Sequence, residues 1–135
     1  MGASMRGGRY NAPGLPTLYT SFVRMTAMAE FLDNVAAEDR EPIGVLSMFS
    51  LMVTLKRVLD LTNAAILSEL DTTVDELCSI RFPGTSHPAR TLGTGAAAYF
   101  DGLVVWSAIV PATKNLVIFP DHHRPLPYVV VRDTR

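Results

Sequence analysis

Hydrophobic positions along the chain change their period several times, and each change marks an element. Thr17 to Phe22 (TLYTSF) is aromatic and β-branched with partial alternation, which predicts a short strand with Tyr19 and Ser21 on one face. From Arg24 to Ala37 the apolar residues Met25, Met28, Ala29, Leu32, Val35 and Ala36 recur every three or four positions. That spacing predicts a helix with one buried stripe and Glu30 roughly opposite it. Glu38-Asp39-Arg40-Glu41-Pro42 then ends the helix, since four consecutive charges require solvent and proline disfavours helix at the residue before it.

Ser47 to Leu55 and Arg57 to Leu61 read as a largely buried strand and a shorter continuation beyond a bend, with helix as the competing assignment. Thr62-Asn63 can cap a helix to about Leu70, and Thr73-Val74-Asp75-Glu76 has capping-box spacing for another through Ile80. Arg81 to Arg90, with two prolines and a glycine, predicts a loop, and Thr91 to Phe100 a helix. After a turn at Asp101-Gly102, Leu103 to Ile109, Leu116 to Phe119 and Tyr128 to Arg132 read as strands. This order lacks regular β-α-β alternation and predicts a single α+β domain of mixed and antiparallel sheets with short helices.

Composition narrows the function. The 135 residues are 48% hydrophobic, with a mean hydropathy of +0.22, so a sizeable core is available without disulfides or a structural metal. A formal net charge of −1 offers no electrostatic footprint for a nucleic acid. The longest apolar stretch, Ile43 to Leu55, is interrupted by Ser47, Ser50 and Thr54 and is too short to span a bilayer. The start of the chain lacks the apolar region of a secretory signal, and Cys78, the single cysteine, suits a reducing cytoplasm. The expectation is a cytoplasmic protein that binds neither membrane nor nucleic acid directly.

Several chemical motifs are decoys. Gly93-Thr94-Gly95-Ala96-Ala97-Ala98 fits G-x-G-x-x-A but follows a proline-rich loop instead of a strand, so its small residues are read as allowing close helix packing. Asp121-His122-His123 and His87 do not have metal-ligand spacing, and no metal site is expected. Cys78 is read as a small core residue. Gly7-Gly8-Arg9 lacks the lysine and hydroxyl of a P-loop, although its arginine can present a fork of donors to a diphosphate. Tyr10 and Tyr19 can supply flat faces for a ring. Taken singly, Arg9 reads as a surface arginine, Glu30 as a solvated carboxylate and Ser107 as a buried hydroxyl bonded to backbone.

Their joint spacing resembles a known family. Gly2-Ala3-Ser4-Met5-Arg6-Gly7-Gly8-Arg9-Tyr10-Asn11-Ala12-Pro13-Gly14, Leu18-Tyr19-Thr20-Ser21 and Thr26-Ala27-Met28-Ala29-Glu30 look like the opening of the RES domain, named for an arginine, a glutamate and a serine. Val58-Leu59-Asp60-Leu61-Thr62, Asp101 to Ser107 and Asn115 to Phe119 continue the likeness. The resemblance implies a type II toxin that attacks NAD on a fold similar to ADP-ribosyltransferase toxins. It implies Glu30, Arg9 and Ser107 as catalytic residues, with Tyr19, Tyr10, Asn11 and Asn115 binding NAD beside Arg9 and Ser107. NAD would be a substrate, no cofactor being needed. Water, phosphate or a protein side chain would accept the ADP-ribosyl group. The implied partners are a cognate antitoxin carrying a helix-turn-helix domain and a second copy of the chain.

Family members carry a further upstream stretch with a first strand, so the resemblance also implies either that this strand is lacking here or that the start of the chain is assigned too late. A catalytically dead remnant that only binds antitoxin is the alternative reading of that difference, and an unrelated small binding domain is a third.

Overall fold

The computed structural model describes residues 8–37, 48–79, 87–120 and 129–132. Ten elements follow in chain order: β1 (Leu18–Ser21), α1 (Arg24–Ala37), β2 (Ser50–Val53), β3 (Val58–Asp60), α2 (Ala64–Glu69), α3 (Val74–Cys78), α4 (Pro88–Ala96), β4 (Gly102–Trp106), β5 (Lys114–Ile118) and β6 (Val129–Arg132). The architecture is mixed α+β, as the element order predicts. A four-stranded sheet runs β1-β5-β4-β3, and β2 pairs with β6 in a separate antiparallel ribbon.

Within the larger sheet β3 and β4 are parallel and the other pairs antiparallel. A parallel neighbour requires a long crossover, and α2, α3 and α4 occupy it. Their apolar residues Leu67, Leu77, Ala89 and Ala96 join Leu103, Val105 and Val117 of β4 and β5 in one buried cluster. The central position of β4 explains why Gly102-Leu103-Val104-Val105-Trp106 is nearly all apolar instead of alternating.

Helix starts follow the capping residues. Asn63 Oδ1 accepts from the amides of Ala65 and Ile66, and Thr73 Oγ1 from that of Glu76. The reciprocal half of the expected capping box differs, because the Glu76 carboxylate accepts instead from the Thr72 hydroxyl at 2.6 Å. The larger departure is α4, which begins at Pro88 inside the stretch read as loop. His87 caps it, with Nδ1 accepting from the Ala89 amide at 3.1 Å, and proline at the first helical position sacrifices no hydrogen bond. Residues 81–86 of that stretch lie outside the described residues.

The strand expected through Ile109 stops at Trp106, and Asp101-Gly102 is no exposed turn. Gly102 opens β4, and Asp101 is 1% exposed, with Oδ2 accepting from the amides of Lys56 and Arg57 at 2.8 and 3.1 Å.

The small residues of α4 pack as expected, through one glycine of the two. A Cβ on Gly93 would lie 2.0 Å from the Tyr10 carbonyl oxygen, whereas one on Gly95 would meet nothing within 4 Å. Replacing each by alanine should therefore have opposite signs. Gly95→Ala should raise stability by about 0.5–1 kcal/mol, the helix-propensity gain, and Gly93→Ala should lower it by about 1–3 kcal/mol through overpacking. Urea denaturation of the two variants checks this, and equal effects would refute it.

The orientation of α1 overturns one expectation. Met25 and Leu32 of the supposed core stripe are 70% and 48% exposed, while Thr26 on the other face is 1% exposed. The surface beneath the helix is polar: Thr26 Oγ1 donates to Thr113 Oγ1 at 3.0 Å, and Glu30 is bonded to Ser107 and Asn115. Hydrogen-bonding groups at the end of the β4-β5 hairpin set the rotation of α1, and Met25 and Leu32 are left outward.

Candidate functional site

Ser107 follows the last residue of β4, and Asn115 is the second residue of β5. The antiparallel hairpin brings them to one end of the sheet, where the Ser107 amide donates to the Thr113 carbonyl at 2.8 Å. Glu30, one turn beyond Thr26 on α1, reaches the same point. The Ser107 hydroxyl and the Asn115 Nδ2 each donate to Glu30 Oε2 at 2.6 Å. These short charge-assisted bonds fix the carboxylate and occupy one of its two oxygens.

Ser107 Oγ also accepts from the amides of Ile109 and Val110, at 3.1 and 3.0 Å. With one donor and two acceptor positions used, the hydroxyl is saturated. Ser107 therefore positions Glu30 and has no donor left for a ligand. Asn115 directs one of its two amide N–H donors at the carboxylate, and its Oδ1 is sealed from solvent without a partner.

Beside this cluster lies a cleft of about 320 Å³ lined by Arg9, Asp33, Cys78, Ser79, Ala108 and Ile109. It is at the small end of ligand sites, with room for one end of a dinucleotide. Arg9 is half-buried in its wall and donates from Nη1 to the Leu77 carbonyl at 2.9 Å. Cys78 also belongs to the wall, and burial pushes its thiol pKa up, which disfavours the thiolate a nucleophile needs.

The tyrosines and Asn11 form the floor of the arginine loop. Tyr10 and Asn11 are 3% and 0% exposed. Tyr19 lies beneath Gly8, where an added Cβ would stand 2.6 Å from its hydroxyl oxygen. That hydroxyl donates to Asn11 Oδ1 at 2.5 Å and accepts from the Tyr10 amide at 2.9 Å. Burial pushes the phenol up to about 12, against the opposing effects of the Tyr10 amide and the nearby arginines. The residue as a whole keeps 38% exposure, so ring surface is what it has to offer a ligand.

Two residues, one lining the cleft and one tied to the arginine loop, escaped the sequence reading. Asp33 is three positions after Glu30, a spacing that places both on one face of α1 and was available as a signal. Arg90 had no such signal, because it fell in a stretch read as loop. It is 8% exposed, and its Nε donates to the Gly8 carbonyl at 3.0 Å, tying α4 to the arginine loop. No group of three or more His, Cys, Asp or Glu side chains that could hold a metal occurs among the described residues, and Asp121-His122-His123 lies outside them. Among the described residues no helix is long and apolar enough to cross a membrane.

His87 links this region to pH. Its Nδ1 accepts an amide hydrogen, so the folded state requires a neutral ring with its proton on Nε2, 3.4 Å from Ser79 Oγ. Burial, with Arg9 nearby, lowers its pKa from 6.5. The unfolded chain therefore takes up the proton first, and this contribution to stability is present above about pH 6.5 and lost as pH falls. The urea midpoint should drop between about pH 7 and 5, and His87→Asn, which retains a capping oxygen, should drop less. Parallel curves for the two proteins would refute this assignment.

Comparison with known proteins identifies the family and the fold. The RES domain family model matches residues 1–135. Among solved structures, the chain is similar to a chain of the M. tuberculosis MbcT–MbcA toxin–antitoxin complex, at a TM-score of 0.74 and 23% identity, over 98% of this chain and 72% of that one. No curated protein matches it in sequence.

Proposed function

The chain belongs to the RES domain family, and from that premise we propose that it is the toxin of a toxin–antitoxin pair, acting by cleavage of the nicotinamide–ribose bond of NAD. The observation that carries this reading is Glu30, held on one oxygen by two 2.6 Å bonds beside a cleft that Arg9 lines. A catalytic carboxylate benefits from arriving already oriented, since reorientation during the reaction raises the barrier.

The chemistry follows from the bond that breaks. The glycosidic electron pair moves to the pyridinium nitrogen, nicotinamide leaves neutral, and positive charge develops at the ribose carbon and ring oxygen. Glu30 Oε1 opposes that charge and accepts from a ribose hydroxyl, as carboxylates do at other glycosyl-transfer sites. Arg9 holds the diphosphate, and the Tyr19 ring packs on nicotinamide. Water or phosphate then bonds to the ribose carbon and loses a proton. A cognate antitoxin would block the cleft, in keeping with the toxin–antitoxin complex to which the fold is similar.

The decisive assay is nicotinamide release from NAD by the purified chain, with and without phosphate. Release without phosphate makes the enzyme a glycohydrolase, and a phosphate requirement makes it a phosphorylase. Absence of release under both conditions, from folded protein, refutes the reading of NAD cleavage with either of these acceptors.

A further inference from the structure

We propose that Asp33 is the base that takes the proton of the acceptor in this cleft, and that the acceptor is accordingly water. This deepens the NAD reading and rests on it. Cleavage with water makes two opposed demands on carboxylates. One that opposes positive charge on the ribose must stay ionised through the step, so Glu30 cannot take up a proton at the same moment. Water that bonds to the ribose carbon must lose a proton, and glycosyl-transfer sites that use water meet both needs with two carboxyl groups.

Asp33 stands where the second is needed. It is three residues after Glu30 on α1, on the same face, a spacing that puts their Cβ atoms about 5–6 Å apart. It is half-buried and lines the cleft with Ala108 and Ile109. The Ile109 amide donates to Ser107 Oγ, the hydroxyl that holds Glu30, so the two carboxylates border one short stretch, 107–109.

The other side chains on the cleft wall are unsuited to the task. Arg9 is a permanent cation with no acceptor. Cys78 keeps its proton, because burial raises its pKa. The Ser79 hydroxyl is a poor base and donates to the Glu76 carbonyl at 2.9 Å. His87, 3.4 Å from Ser79 Oγ, presents a protonated Nε2, since its Nδ1 accepts from the Ala89 amide. Among the described residues of the wall, Asp33 alone has a side chain able to accept a proton. Its charge also selects the acceptor. A phosphate dianion would have to enter beside two carboxylates with Arg9 as the one cation on the described wall, whereas water enters uncharged. In the step, the water oxygen bonds to the ribose carbon as the glycosidic pair passes to the pyridinium nitrogen. One water proton goes to Asp33 and then to solvent, leaving nicotinamide and ADP-ribose.

The test is nicotinamide release in phosphate-free buffer by wild type, Asp33→Asn and Asp33→Glu, with and without sodium azide. Azide brings an electron pair and has no proton to lose, so it needs no base. Asp33→Asn should release nicotinamide about 10²–10⁴-fold more slowly in water, the scale of a lost general base. Azide should restore most of the lost rate, with ADP-ribosyl azide as the product. Asp33→Glu, which keeps a carboxylate on a longer arm, should fall between. Release by Asp33→Asn at the wild-type rate would overturn the assignment. So would a slowed variant that azide does not restore, the behaviour of a side chain that only supports the fold. A wild-type enzyme that requires phosphate would overturn it while leaving NAD cleavage in place. Absence of release by folded wild type with water, phosphate and azide alike would remove the NAD reading and the role of Asp33 with it.

Discussion

Glu30→Gln should fold with an unchanged melting midpoint and lose nicotinamide release by about 10²–10³-fold, the scale seen when one fixed electrostatic contact to a transition state is removed. The glutamine carbonyl can still accept from Ser107 and Asn115, the two donors that hold Oε2 in the native chain. Geometry is thereby retained while the negative charge is removed. If the reaction builds positive charge on the ribose, the rate must fall although the site remains assembled. Expression in a bacterial host should show the same division, with growth arrest by the native chain and none by the variant. Retained arrest by Glu30→Gln would refute the role given to Glu30.

The largest expected loss of stability follows Asp101→Ala. Asp101 is 1% exposed, its carboxylate receives two backbone amides, and its own backbone continues the pattern, with the amide donating to the Arg57 carbonyl at 2.7 Å. Removing the side chain leaves the amides of Lys56 and Arg57 without their acceptor at the entry to β3. Each hydrogen bond to the carboxylate is worth about 1–3 kcal/mol, so a total loss of about 2–6 kcal/mol is expected in urea denaturation. Asp101→Asn, which keeps one acceptor oxygen, should lose less. A change below about 1 kcal/mol in the alanine variant would show that water replaces the carboxylate at no significant cost.

The sequence pattern was informative where a local rule decides and misleading where a distant surface does. Asn63 and Thr73 announce α2 and α3 because a cap acts within its own turn. The apolar run of β4 announces a buried strand because both its faces are covered. By contrast, the periodicity of α1 correctly predicts a helix and wrongly predicts which side is inside, since Ser107, Thr113 and Asn115 lie almost eighty or more positions away. The family resemblance supplied Arg9, Glu30 and Ser107 as candidates, and composition alone did not. Their separate duties required coordinates, because saturation of the Ser107 hydroxyl depends on two amides that no motif records. Arg90 was illegible for a simpler reason: two prolines beside it signal loop, although one of them opens a helix.

The strand order has a consequence for synthesis on the ribosome. Arg9, Tyr19 and Glu30 are translated first, but among the described residues β1 pairs only with β5, placing Ser21 opposite Asn115 and Tyr19 opposite Val117. Glu30 likewise waits for Ser107 and Asn115. Such non-local pairings form late, after the intervening chain is available. A nascent chain therefore carries Glu30 for most of its elongation without the partners that orient it, and on the function proposed above a message cut short before β5 yields fragments harmless to the cell translating them.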